Sequence, residues 1–355
     1  MQMLASTGLG LMSGTSLDGL DLALCTFGES HQAHIEAFTT INYPQHWRQR
    51  LGGAHGLSAN GYMALECEYS VYTAQLVQQF LQDCPVKPQF IAAHGHTVFH
   101  TPQAGITTQL LNGALLAAGC GVPVVCDFRR TDVACGGQGA PLVPLGDKLL
   151  FPQYQACVNL GGFANISGDV AGKRIAWDIG PVNIVLNALA ETLGHPYDPE
   201  GSLARQGSTI PNLLQALNDK AFYHQNPPKS LGREWVEAEV WPLIQGHNRA
   251  TTQDLLRTFA EHAAMQIAMA LTIIAPNGNA LFTGGGVHNA FLMQRIQELT
   301  ANSWACTRPP HPWTDAKEAV VFALLGRLRL LGEINTLASV TGANRNTCSG
   351  AVYLP

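Results

Sequence analysis

The sequence predicts an α/β protein assembled from two copies of one unit, and three observations predict it. The first is the order of elements. Apolar runs at Leu9–Met12 and Leu20–Cys25 flank a turn, Ile35–Ile41 supplies a third strand, and Ala64–Cys84 carries apolar residues at helical spacing. Phe90–Ala93, Gln109–Ala118 and Val122–Cys126 then read as strand, helix and strand. The second observation is that the other half repeats this order. Ala156–Leu160 runs into GGFANIS and a return strand, Trp177–Gly180 precedes a helical stretch from Val182 to Leu193, and a long helix over Leu255–Ile274 leads to the strand Ala280–Thr283 and the loop GGGVHN. LMSGTSLDG thus answers to NLGGFANIS, and IAAHGHTV to ALFTGGGVHN. The third is size: 355 residues exceed what one core usually serves, and 36 glycines without a repeat indicate many tight loops. Two units presenting glycine loops at equivalent points can grip one ligand between them, at the carboxyl ends of their strands.

The first of these loops, GLGLMSGTSLDGLD from Gly8 to Asp21, is the stretch around which the chain is organised. Gly10, Gly14 and Gly19 permit close approach of a bound group. Ser13, Thr15 and Ser16 supply donors for phosphate oxygens. Asp18 and Asp21 would repel a phosphate directly, so their use is to hold a hydrated Mg²⁺ or to fix the loop. A plain hairpin turn needs the same glycine and aspartate, and that reading stays open at this point. The loop is neither GxxxxGK[ST] nor a GxGxxG that opens a helix.

Composition narrows the classes. With 46% apolar and 13% charged residues and a net charge of −5, the chain has no basic run to neutralise a nucleic-acid backbone. No uninterrupted apolar run is long enough to span a bilayer, and no basic segment precedes an apolar core at the amino terminus; the expectation is a cytoplasmic protein. Nine cysteines without a CxxC pair argue against a disulfide framework and a structural zinc site.

Asp178 is the leading candidate for a catalytic base. It follows Ile175–Trp177, which read as a strand, and precedes Gly180 and Pro181, a lead into a helix, so its carboxylate would be rigidly held and partly desolvated. A helix-capping aspartate is the alternative. Arg129, Arg130 and Asp132 precede GGQGAPL, whose Gln138 could reach hydroxyls or a carboxylate of a bound ligand. Arginine suits a carboxylate through its forked donors, while a surface salt bridge is the bland reading. His94 and His96 would share a face of a strand, and with His100 they suggest a metal site. No HxxxE or cysteine completes a ligand set, so lining a pocket or satisfying core hydrogen bonds is preferred. No GxSxG frames a serine nucleophile.

GLMSGTSLDGLD closely resembles the amino-terminal signature of the anhydro-N-acetylmuramic acid kinases, members of the actin-like, Hsp70-like and sugar-kinase superfamily. The resemblance continues in AAHGHTVFH (Ala92–His100), DFRRTDVACGGQGAPLVP (Asp127–Pro144), NLGGFANIS (Asn159–Ser167), WDIGPVN (Trp177–Asn183), PPKSLGRE (Pro227–Glu234) and TGGGVHN (Thr283–Asn289). It implies two duplicated βββαβα domains of the actin-like, ribonuclease H-like type with an interdomain active-site cleft. The boundaries expected are residues 1–150, with 316–355 packing back as the superfamily's final helix does, and 151–315, containing an insertion at 201–239 that shapes the mouth of the site.

The resemblance also implies a reaction and its residues. Gly14, Thr15, Ser16, Leu17, Asp18, Gly19, Leu20 and Asp21 would hold the β- and γ-phosphates of ATP, with Asp18 on Mg²⁺ through water. Gly161, Gly162 and Asn165 would form a second phosphate loop, and Gly284, Gly285, Gly286 and Asn289 would flank the adenosine. Asp178 would take a proton from the water that opens a 1,6-anhydro sugar, whose O6 then accepts the γ-phosphoryl group, while His94, His96, Arg129, Asp132, Gln138, Asn183 and Glu318 would face the sugar. A homodimer acting on a small sugar in cell-wall recycling is the implied setting. The family usually has DTGPGN where this chain has DIGPVN, so Val182 is expected to narrow a place of close approach and put substrate fit in doubt. A kinase for another sugar, a non-catalytic nucleotide switch and a metal-dependent hydrolase built on His94 and His96 are the alternatives.

Overall fold

Leu9 and Leu11, and after the turn Leu20, Leu22 and Leu24, recur at every second position of their strands, and pairing Leu9 with Leu24 and Leu11 with Leu22 sends all five to one side, where they are buried together. The structure, a computed structural model, describes residues 6–14 and 17–355. The chain divides into two compact units, Met1–Phe151 with Ala316–Pro355, and Pro152–Asp315.

In the first unit β1 (Thr7–Ser13), β2 (Gly19–Phe27) and β3 (Ala33–Asn42) form an antiparallel meander. Helix α1 (Ala59–Gln82) returns the chain to β4 (Phe90–Ala93), parallel to β1, and a hairpin of β5 (His96–Thr101) and β6 (Ile106–Leu110) follows. Helix α2 (Gly113–Cys120) then leads to β7 (Val124–Cys126), parallel to β4. In the second unit β8 (Ala156–Leu160), β9 (Phe163–Val170) and β10 (Lys173–Pro181) form the meander. Helix α3 (Asn183–Glu191) and the long α4 (Thr252–Ile274) precede β11 (Gly278–Thr283), parallel to β8; α5 (Ala290–Leu299) connects to β12 (Trp304–Thr307). Helix α6 (Trp313–Leu331) and the edge strand β13 (Ala351–Tyr353) complete the chain.

The sheet orders are β13-β7-β4-β1-β2-β3 and β10-β9-β8-β11-β12. Without its extra edge strand, the first reads third-second-first-fourth-fifth from the meander edge, as the second does. This is one βββαβα topology twice, with glycine turns joining the first two strands of each unit and glycines directly after the fourth.

Two expectations are corrected. Gln109 and Leu110 end β6, opposite Thr97 and His96, rather than starting a helix. The β-branched run Ile106–Thr108 favours the strand, and Asn112 sets the helix start by accepting a hydrogen bond from the Leu115 N–H at 3.1 Å. GGFANIS is not a seven-residue loop: the turn is Gly161–Gly162, and from Phe163 the chain is strand, with Ala164 and Ile166 buried. The carboxyl-terminal tail supplies β13, antiparallel to β7.

Helix α6, whose residues from Ala316 belong to the first unit, lies directly on that unit's sheet because two glycines allow it. A Cβ on Gly10 would stand 1.8 Å from the Ala319 carbonyl oxygen, and one on Gly326 would stand 2.5 Å from Ala92 Cβ. Gly10 is therefore a packing residue, and its place in the signature is explained by the helix above it.

Candidate active site

In the first unit, the turn after β1 reaches Leu17 in the left-handed region, at φ 62°; Thr15 and Ser16 lie outside the described residues. The Gly14 carbonyl accepts from the Leu17 N–H at 3.4 Å, and the Asp18 carbonyl accepts from the Tyr43 N–H at 3.0 Å, leaving the Asp18 side chain exposed. Gly19 is demanded by strand pairing, since a Cβ there would meet the Ile41 carbonyl oxygen at 2.5 Å. Leu20 is corrected as a side-chain contact: it is 2% exposed in the core and has only backbone to offer. Asp21 lies on the α6 face of β2 and accepts from Thr40 Oγ1 at 2.6 Å.

Helix α6 brings Glu318 to this face. Burial raises its carboxyl above the ordinary range, Asp21 and Asp147 add to the shift, and Lys317 and Arg129 oppose it. The Arg129 guanidinium donates through Nε and Nη2 to His94 Nε2 at 3.0 and 2.9 Å and through Nη1 to the Gly139 carbonyl at 2.7 Å. Burial lowers its pKa to about 10, so it stays charged at neutral pH. Burial and the adjacent Arg129 push His94 well below the ordinary imidazole value; the ring is neutral and serves as an acceptor that aims the guanidinium.

Several expected sugar contacts separate. His94 and His96 do not share a face, because Gly95, at φ 76°, breaks the extended run between them. His94 packs on Phe322, whereas His96 lines a pocket of about 250 Å³ with Leu17, Leu51, His55 and Val98. Asp132 is corrected to a structural role: at 0% exposure its two oxygens accept from Gly139 N at 2.8 Å and Thr341 Oγ1 at 2.7 Å. Arg130 pairs with Asp127 at 3.0 Å. Gln138 is exposed and accepts from Gln103 Nε2 at 3.4 Å. Among the described residues no three His, Cys, Asp or Glu side chains cluster as a metal site.

In the second unit Asp178 belongs to β10 and caps no helix. Its register places it opposite Asn165, which stands opposite Asn159, which stands opposite Thr283. Directly opposed residues face the same way, so four polar side chains stand abreast on the sheet face away from Ile166 and Trp177. Asn159 and Thr283 were missed, although a signal existed: Asn159 and Asn165 are equidistant from Gly162, and a tight hairpin there makes them neighbours.

Asp178 is clamped by residues 229–231. Its N–H donates to the Lys229 carbonyl at 2.9 Å, and its Oδ2 accepts from the Leu231 N–H at 3.0 Å. Burial raises the carboxyl above the ordinary aspartate value, and the Leu231 bond opposes it. Lys229 holds the segment by donating to the carbonyls of Phe222 and Tyr223 at 2.9 and 3.3 Å while its ammonium lies over the Phe222 ring. Tyr223 OH is anchored on His262 Nε2 at 2.9 Å, and burial lowers that imidazole to about 3. Lys229→Met is accordingly expected to reduce kcat by about 10- to 100-fold through misplacement of the carboxylate. Burial is the larger of the two influences on Asp178, so loosening its cover should move the acid limb of kcat/KM downward, toward an ordinary carboxylate. A pH–rate profile identical in shape to the wild type would refute the clamp.

The glycines sort by what surrounds them. Gly284 and Gly286 are required by the fold, since a Cβ would stand 2.7 Å from Asn159 Oδ1 at the first and 2.7 Å from Leu160 Cβ at the second. Gly161, Gly162 and Gly285 have room for a Cβ and no left-handed φ, so the folded chain itself does not demand glycine there. Their bareness fits close approach of a ligand. Asn183 Nδ2 donates to the Leu160 carbonyl at 3.2 Å, and the residue lines a pocket of about 320 Å³ with Gly285, Gly286 and Asn289. Asn289 Oδ1 is also the cap of α5, accepting from Leu292 N at 2.9 Å. Ile179 and Val182 are 3% and 1% exposed in the second unit's core, so the narrowing expected from Val182 is absent.

A βββαβα topology used twice, with bare glycine turns after the first and fourth strands of the second unit and a desolvated carboxylate on its third, defines the actin-like class of fold. The chain belongs to the anhydro-N-acetylmuramic acid kinase family, whose model matches residues 6–355. It is 36% identical to the anhydro-N-acetylmuramic acid kinase of Paramagnetospirillum magneticum over 98% of this chain and 99% of the relative. The enzyme of that name from Pseudomonas putida is 38% identical over 97% and 98%. Among solved structures, the Acidaminococcus fermentans (R)-2-hydroxyglutaryl-CoA dehydratase component A superposes with a TM-score of 0.47 at 12% identity, covering 90% of this chain and 96% of that one. A ROK family glucokinase from Streptomyces griseus superposes with 0.40 at 11%, covering 90% and 97%.

Proposed function

We propose that this chain uses ATP to open 1,6-anhydro-N-acetylmuramic acid and phosphorylate its O6, giving N-acetylmuramate 6-phosphate and ADP in peptidoglycan recycling. Family membership supports the substrate, and the observation that carries the chemistry is Asp178, a rigidly clamped carboxylate whose proton affinity burial has raised. Asp178 takes a proton from water as the water oxygen bonds to the anomeric carbon. The bond from that carbon to O6 breaks with its electrons on O6, O6 bonds to the γ-phosphorus, and ADP leaves. Arg129, aimed by His94, suits the lactyl carboxylate of the sugar, and Glu318 suits its hydroxyls.

The Gly14–Asp21 turn and the bare Gly161–Gly162 turn take the phosphates, and Gly284–Asn289 takes the nucleoside. The exposed Asp18 carboxylate fits a hydrated Mg²⁺, which when bound neutralises phosphate charge. A cytoplasmic homodimer belongs to the same reading, following the family. Among the described residues no helix is long and apolar enough to cross a membrane.

The test is ADP release coupled to a reporter, with anhydro-N-acetylmuramic acid and a panel of open-ring hexoses and amino sugars as acceptors. The anhydro sugar should be the best acceptor, with one phosphate incorporated per ADP. Turnover of an ordinary hexose with none of the anhydro sugar would replace this reading by a generic sugar kinase.

A further inference from the structure

Asp178 sits at an irregularity of β10. It stands opposite Asn165 while Gly180 stands opposite Ala164, so Ile179 is one residue more than β9 can pair. A bulge of this kind bends its strand and turns the side chains beside it, and the direction of the carboxylate depends on what holds the bend. Tyr223 rests on it. A Cβ on Gly180 would stand 3.1 Å from the Tyr223 hydroxyl oxygen and 3.2 Å from its Cε1, so the glycine makes the seat for this side chain. No water-sized void remains among Gly180, Tyr223, His262 and Gln266.

The Tyr223 hydroxyl is fixed in turn by a chain of hydrogen bonds that runs in one direction. Asn218, at the end of the helix Pro211–Asn218, presents its Oδ1 to two side chains of α4: Gln266 Nε2 donates to it at 2.9 Å, and His262 Nδ1 stands 2.7 Å away. An amide oxygen only accepts, so Nδ1 carries the imidazole proton. The ring is 1% exposed and burial keeps it uncharged. Its Nε2 is therefore bare, and the Tyr223 hydroxyl donates to it at 2.9 Å. The backbone of the same tyrosine leads back to Asp178. Its carbonyl and that of Phe222 accept from Lys229 Nζ, and the Lys229 carbonyl and Leu231 N–H are the groups that hold residue 178. Tyr223 thus braces the bulge with its ring and the clamp with its backbone, and α4 fixes Tyr223.

We propose that Tyr223 and His262 are positioning residues for the base: the bond from hydroxyl to imidazole holds the tyrosine against Gly180 and so sets the direction in which Asp178 meets the attacking water. Both act through Asp178, and the proposal rests on the reading of that residue as the base.

The experiment is single-turnover phosphorylation of 1,6-anhydro-N-acetylmuramic acid by the full chain, with calorimetric ATP binding to count folded sites. Tyr223→Phe removes one oxygen atom. It should lower the rate per folded site by about 10-fold, less than the roughly 10²-fold that a 1 Å misplacement costs, with ATP affinity within about 2-fold of wild type. In an Asp178→Asn background the same change should alter the residual rate by less than about 2-fold, because no base is left to aim. His262→Leu should reproduce the loss. His262→Gln, whose amide oxygen can accept from the hydroxyl, should return to within about 3-fold of wild type. A wild-type rate in Tyr223→Phe, equal losses in the two backgrounds, or a His262→Gln no faster than His262→Leu overturns the positioning role alone. A wild type that leaves the anhydro sugar unphosphorylated, or an Asp178→Asn variant as fast as wild type, overturns the base reading and the proposal with it.

Discussion

Asp178→Asn should lower kcat by about 10³-fold while leaving the affinity for ATP within about 2-fold, because a positioned general base contributes roughly 10² to 10⁴ in rate. The substitution preserves shape, and the backbone bond from residue 178 to the Lys229 carbonyl is untouched. The Leu231 N–H keeps an acceptor if the amide oxygen takes the place of Oδ2, so loss of activity would report the missing proton acceptor and not a collapsed segment. In the wild type, kcat/KM should fall on acidification through an apparent pKa above that of an ordinary aspartate, since burial disfavours the charged form and the base works only when ionised. Single-turnover phosphorylation and calorimetric ATP binding measure the two quantities separately. A variant that keeps a tenth or more of wild-type turnover would remove Asp178 from the role of base.

Gly10→Ala should destabilise the first unit by about 3 kcal/mol or more, at the upper end of what overpacking costs, because the added carbon collides with backbone rather than with a side chain that could turn aside. The collision is with the Ala319 carbonyl oxygen, one residue from Glu318. Any outward shift of α6 that relieves it also withdraws Glu318 from Arg129. The expected result is a lowered thermal midpoint and, at temperatures where the variant remains folded, a raised KM for the sugar with an unchanged KM for ATP. Unaltered thermal unfolding would show that the helix does not sit on β1 as described.

Different parts of the molecule were legible to different degrees. The meander of each unit could be read because leucines and β-branched residues alternate along it, and the long helices because their apolar residues recur every three or four positions. The β5–β6 hairpin was missed: Gln109 to Ala118 carries an apolar spacing that suits a helix, and only pairing with His96–Thr101 shows that Gln109 and Leu110 are strand. Asp178 was singled out by its local frame of strand, glycine and proline. Its clamp was not, because Lys229 and Leu231 lie about fifty residues further on and meet it only through hydrogen bonds made in the folded unit.

The glycines mark the same division. Fourteen residues around Gly14 announce a turn made for close approach, yet the sequence treats Gly10, Gly14 and Gly19 alike. Tertiary packing separates them, assigning Gly10 to a helix and Gly19 to a neighbouring strand. Likewise Asp132 and Glu318 are both acidic residues near glycine-rich or apolar stretches. One ends with both oxygens satisfied at 0% exposure, and the other faces Asp21 and Arg129. By itself the sequence determined the class of fold and the family, and it pointed to the segments to examine for chemistry, because these depend on local periodicity and on short motifs. Which member of each segment holds a neighbour and which is left to a ligand was decided only by the tertiary structure, because a polar or bare group is available for chemistry only when no distant part of the chain has already used it.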